Sequence, residues 1–114
     1  MINRVVIAGK IVESPRVETK PNGQKVAVLK LQIQHPMWGV AGTEQCTVEV
    51  LGVGERRAEI FERYLQAGRD FMVEGHLVDV DGTLRVVVDQ FHFMESGLNT
   101  RYYHTEGSAD PVAA

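Results

Sequence analysis

The 114 residues hold one cysteine, one tryptophan and no apolar run of membrane length. Cys46 therefore has no partner for an internal disulfide, which agrees with a reducing compartment. The opening MINRVVIAGKIVE carries Arg4 and Lys10 among its apolar residues, where a secretory signal would have a basic stretch followed by an apolar one. These absences lead to the expectation of a soluble, cytoplasmic protein with no membrane partner.

Catalytic constellations are missing as well. His35, His76, His92 and His104 lie scattered without metal-ligand spacing, and no cysteine pair accompanies them. The segment GVGE offers a single Gly-x-Gly without a third glycine, a Walker lysine or a βαβ setting, so it is weak support for a phosphate loop. The carboxylates are numerous and dispersed. No enzyme, metal, cofactor or small-molecule substrate is expected.

What is present is a single domain's worth of strands. Apolar and β-branched residues crowd NRVVIAGKIVE, where Gly9 suggests a bulge or bend. SPRVETKPNGQ then turns the chain through two prolines and an Asn-Gly pair. Over residues 25–34, Ala27, Leu29, Leu31 and Ile33 share one face, and Lys30, Gln32 and Gln34 the other, with Val26 and Val28 covered at its start. Pro36 stops that strand, and HPMWGVAGT is a loop carrying Trp38 between a strand end and two glycines. EQCTVEVLG reads as a third strand in which Cys46, Val48 and Val50 share a face, so Cys46 is taken as an inert apolar residue.

The period changes in GERRAEIFERYLQAG, where Arg57, Phe61, Tyr64 and Leu65 fall at helical spacing before a capping Gly68. DFMVEGHLV and LRVVVDQFHFM follow as strands four and five, joined at Asp81-Gly82. Five strands with one helix between strands 3 and 4 predict an all-β OB-fold, a Greek-key barrel, over residues 1–96. Residues 97–114 are expected to be a tail, at least partly disordered.

Charge is unevenly spread. Residues 1–43 hold six cations against two carboxylates, whereas the rest of the chain is acidic, and the whole has a net charge of −3. A positive strand surface beside a loop tryptophan supplies the two things that single-stranded nucleic acid needs, counterion release and a flat stacking partner.

The segments NRVVIAGKIVESPRV, PNGQKVAVLKLQI, the loop tryptophan, VEVLG before the helix, ERYLQAGRDFMVEGHL and VVVDQFHFM together resemble the bacterial single-stranded DNA-binding protein family, including primosomal replication protein N, over about residues 2–94. The resemblance implies an OB fold, non-specific single-strand binding in replication, recombination or repair, and homodimers or homotetramers that engage replication or restart proteins. It also implies that Trp38 stacks bases, with Arg4, Lys10 and Arg16 near the family's backbone-contacting positions. The full expected site is Arg4, Lys10, Arg16, Lys20, Lys25 and Lys30 on phosphates, Trp38 on a base, and Gln32 and Gln34 beside Lys30 on the open strand face.

The chain departs from the resemblance in three places. Its strand-3 row is Gln45, Thr47, Glu49 and Leu51, with no aromatic and with a carboxylate that repels phosphate. The hairpin VDVDGT is short and brings Asp79 and Asp81. After Met94 there is no long linker with an acidic-hydrophobic tip. An accessory binder is the expectation, and the alternative is a protein-interaction module that retains the fold, with Tyr102 and Tyr103 as interface anchors.

Overall fold

Alternation of apolar and polar residues sets the strands of the computed structural model, which describes residues 1–94 and the backbone of 103–105. Eight elements follow one another: β1 (Val5–Ile11), β2 (Arg16–Thr19), β3 (Lys25–Pro36), β4 (Thr43–Val53), α1 (Glu55–Tyr64), β5 (Asp70–Val80), β6 (Thr83–Met94) and β7 (Tyr103–Thr105). Five of the strands close a ring in the order β1-β5-β6-β4-β3, and β1 returns to β3 through Lys10↔Gln32 and Ile11↔Leu31. All ring contacts are antiparallel except the short parallel step Val50↔Val86 and Leu51↔Val87. The arrangement is the expected OB barrel. Short β2 was not anticipated; it lies outside the ring, pairs with β3, and moves the helix to between β4 and β5 in the strand count.

Turn chemistry fixes the hairpins. Gly23 takes φ +86° between β2 and β3, and Asn22 Oδ1 accepts from the Gln24 amide at 2.9 Å. Asp81 and Gly82 both adopt positive φ, as a two-residue β5–β6 hairpin requires.

The barrel is filled by all four phenylalanines of the chain. Phe61 from α1 meets Phe91 edge-on at 5.2 Å and Phe71 at 5.6 Å, and Phe93 completes the cluster at 5.4 Å from Phe91. Each is at most 1% exposed, with Ile11, Leu29, Leu31, Val50, Val73 and Val88 around them. The helix is thus a plug held by Phe61 and Ala58.

Arg57 shares the helical spacing of the core residues for a different reason: it donates to the carbonyls of Val88 at 2.6 Å and Asp89 at 2.7 Å. Asp89 is the residue that β5 leaves unopposed, since Glu74 pairs with Gln90 and Gly75 with Val88. The guanidinium therefore satisfies carbonyls at the bulge.

Two expectations change. Gly68 does not cap α1. The helix ends at Tyr64 because Leu65 turns extended into the core, and Gly68, at φ +90°, donates to the Ile11 carbonyl at 2.7 Å. Gly9 causes no register shift. An added Cβ there would sit 2.4 Å from the Gln32 carbonyl oxygen, so this glycine lets β1 cross tightly onto β3 where the ring closes.

The ordering of the tail and the roles assigned to His104, Tyr102 and Tyr103 lie outside the described residues. The backbone of β7 pairs with β6 through Met94↔Tyr103, Phe93↔His104 and His92↔Thr105.

Candidate nucleic-acid interface

Strand β3 carries the candidate surface because its register with β4 aligns two polar rows. Lys30 lies opposite Glu49, Gln32 opposite Thr47 and Gln34 opposite Gln45, while Ala27, Leu29 and Leu31 point into the barrel. Lys10 of β1 adds a cation beside Gln32 on the same face. Val26 and Val28, at the start of the face, are buried as expected.

The β3–β4 hairpin outgrows the barrel. Burial falls along each strand, from Leu31 to half-buried Ile33 and from Val50 through half-buried Val48 to exposed Cys46, because Ile33 and Val48 reach only the edge of the core and the hairpin runs on beyond it. Cys46 is therefore exposed opposite Ile33, which corrects its expected place among apolar neighbours. At the tip, the Met37 amide donates to the Gly42 carbonyl at 3.1 Å, and Gly39 and Gly42 take positive φ. Trp38 sits within that turn at 99% relative exposure. A bare indole on a polar hairpin costs apolar hydration and is free to stack.

The cations are less free. Arg4 pairs with Glu74 at 3.4 Å, Arg16 with Glu18 at 3.4 Å, and Lys30 with Glu13 at 3.3 Å. Lys10 lies 3.6 Å from Asp70 and donates to the Gly68 carbonyl at 3.3 Å. Lys20 and Lys25 make no ion pair among the described residues.

Their positions separate the expected set. Arg16 lies opposite Val28, on the face of Lys30 and Lys10. Lys20 lies in the turn before β3, at the opposite end of that twelve-residue strand from the tip tryptophan. Lys25 is turned to the α1 side, where it lines a groove with Val17, Glu55, Glu59 and Glu62. The structure thus groups Lys10, Arg16, Lys30, Gln32 and Gln34 on one face that runs out to Trp38, and sets Lys20 and Lys25 apart. Arg4 flanks β1 beside Glu74, Asp89 and Gln90.

One residue of this face escaped the sequence reading. Arg85 of β6 donates through Nε to Glu49 Oε1 and through Nη1 to the Val80 carbonyl at 3.0 Å. Only the parallel β4–β6 contact brings it there, so no local pattern could reveal it. Elsewhere, His76 Nδ1 lies 3.0 Å from Asp89 Oδ2. Among the described residues no group of His, Cys, Asp or Glu could hold a metal ion, and no helix is long and apolar enough to cross a membrane.

A closed five-stranded barrel with a polar strand face and a bare ring at its hairpin tip defines an OB-type module built to meet extended, unstacked chains. The chain belongs to the single-strand binding protein family, whose model matches residues 2–93. It is 28% identical over 112 residues to a single-stranded DNA-binding protein 2 of Staphylococcus aureus strain Mu50, covering 98% of this chain and 71% of that one. Its fold matches the protein PriB from Ralstonia solanacearum with a TM-score of 0.70 at 20% identity, over 83% of this chain and all of the other. It also matches a Plasmodium falciparum SSB solved in complex with ssDNA, with a TM-score of 0.64 at 15% identity, over 77% and 87% of the two chains.

Proposed function

We infer that the protein binds single-stranded DNA without catalysing a reaction, as a homo-oligomer acting in DNA replication, recombination or repair in a bacterial cytoplasm. The observation that carries this reading is the 99% exposure of Trp38 at the end of a continuous polar strand face. Trp38 stacks a base, Gln34 and Gln32 line the path, and Lys30, Lys10 and Arg16 meet phosphates, with Arg4 at the flank. Lys20 and Lys25 act only at longer range.

Titrating the protein with oligo-dT at low and moderate salt, while following Trp38 fluorescence, tests it. Strong quenching that weakens steeply with salt is the expected result. No quenching up to tens of micromolar would favour a second reading, an accessory module that docks replication or restart proteins. That reading draws on the pairing of the face's cations with carboxylates.

Assembly follows from an open edge. Over Val5–Gly9, β1 pairs with β5 on one side and has no strand partner on the other among the described residues, while Val6 is 53% exposed. Unpaired backbone groups and an exposed β-branched residue suit a two-fold contact with a second copy. Light scattering at micromolar concentration is expected to give at least a dimer, and a monomer alone would sink the assembly claim.

A further inference from the structure

Four charged side chains form a row across the candidate face: Glu13, Lys30, Glu49 and Arg85. Lys30 binds Glu13 at 3.3 Å and lies opposite Glu49 in the ladder, and Glu49 in turn accepts from Arg85. The alternation leaves the row neutral.

The two ends of the row differ in burial. Lys30 and Glu13 are 40% and 56% exposed, so water and salt weaken their attraction. Arg85 and Glu49 are 22% and 26% exposed, the most sheltered cation among these pairs with a partner equally sheltered. Arg85 is also held at two points, since its Nη1 donates to the Val80 carbonyl. A guanidinium carries five donors in a rigid fork. Its Nη2 makes no hydrogen bond among the described residues, so that edge remains open.

Building on the single-strand-binding reading, we propose that Arg85 is a pre-set phosphate contact whose strength is limited by Glu49. Phosphate oxygens bind the open Nη2 edge without side-chain reorganisation, because Glu49 and Val80 already orient the fork. The same carboxylate cancels the charge that would otherwise draw the strand in. The protein therefore releases fewer counterions than its count of face cations suggests, and its binding leans on stacking at Trp38. Glu49 sets affinity and salt dependence together.

Glu49→Gln separates orientation from charge, since the amide oxygen still accepts from Nε. For single strands the logarithm of affinity falls by about 0.7 per phosphate contact for each tenfold rise in salt. One contact at full strength is therefore worth about 5-fold at 0.1 M salt relative to 1 M. In oligo-dT titrations, Glu49→Gln is expected to bind about 5-fold more tightly at 0.1 M salt, with a slope steeper by about 0.7. Arg85→Gln is expected to bind more weakly than the parent, and the double variant E49Q/R85Q to return to within about twofold of it.

Glu62→Gln, on the α1 side of the molecule, adds the same net charge and is expected to change nothing. Melting curves establish that each variant is folded. Unchanged affinity and slope in Glu49→Gln would overturn the proposal. So would a gain that survives in the double variant, which would assign the freed contact to Lys30, or an equal gain from Glu62→Gln. If the parent chain shows no DNA binding at any salt concentration, the single-strand-binding reading itself fails.

Discussion

Gly75→Ala is expected to lower stability by about 3 kcal/mol or more, with a drop in melting temperature of about 10–15 °C for a domain of this size. Gly75 is buried in β5 beside the bulge, where an added Cβ would sit 2.0 Å from the Val87 carbonyl oxygen and 3.2 Å from Val86 Cγ1. The first obstacle is backbone within the β5–β6 ladder, so it cannot swing aside as a side chain would. Relief requires prising β6 away from β5, and with it the carbonyls of Val88 and Asp89 that Arg57 holds. Gly23→Ala is the useful contrast. It too forces an L-residue where glycine sits, but nothing lies within 4 Å, and the cost is that of positive φ alone, about 1–2 kcal/mol. Thermal unfolding followed by circular dichroism compares the two, and equal melting temperatures would contradict the steric account.

How far the sequence discloses this molecule depends on the range of the interaction concerned. The alternation in residues 25–34 identified β3, both of its faces and the covered Val26 and Val28, because strand faces repeat every two residues. Asn22-Gly23 marked a turn and Asp81-Gly82 a hairpin because positive φ is a local demand. β2 was hidden, since its four residues, Arg16–Thr19, set between Pro15 and Pro21, give too short an alternation to stand out. The end of α1 was misplaced because burying Leu65 outweighs continuing to the apparent cap at Gly68. The exposure of Cys46 was missed for a geometric reason. Period two tells which side a residue faces, but only the tertiary structure tells where the barrel beneath it ends.

The candidate surface shows the same division. The shared face of Lys30, Gln32 and Gln34 and the loop position of Trp38 were legible from one strand and its loop, whereas the pairing of each cation was not. Glu13 reaches Lys30 and Glu74 reaches Arg4 only once β1, β3 and β5 are assembled. A count of six cations against two carboxylates in residues 1–43 therefore overstated the positive charge available, because carboxylates from the acidic remainder, Asp70 and Glu74, pair with Lys10 and Arg4. Local pairing, rather than net charge, determines what a phosphate meets.

Trp38→Ala is expected to lower affinity for oligo-dT by about 5- to 150-fold while leaving stability within about 0.5 kcal/mol of the parent. The first figure follows from stacking, worth about 1–3 kcal/mol per base, and the second from a ring that is 99% exposed and supports no packing. The aromatic inventory makes the loss hard to offset. All four phenylalanines are committed to the barrel interior and Tyr64 is half-buried against the core, so Trp38 is the one fully exposed ring among the described residues. Trp38→Phe is expected to retain part of the affinity. The salt slope is expected to stay unchanged in both variants, since removing a neutral ring releases no counterions. Affinity loss without a slope change thus separates the ring from the Glu49–Arg85 pair, where Glu49→Gln alone alters both quantities. Parent-like affinity in Trp38→Ala, measured by a labelled oligonucleotide because the intrinsic fluorophore is gone, would mean that the hairpin tip does not stack on DNA.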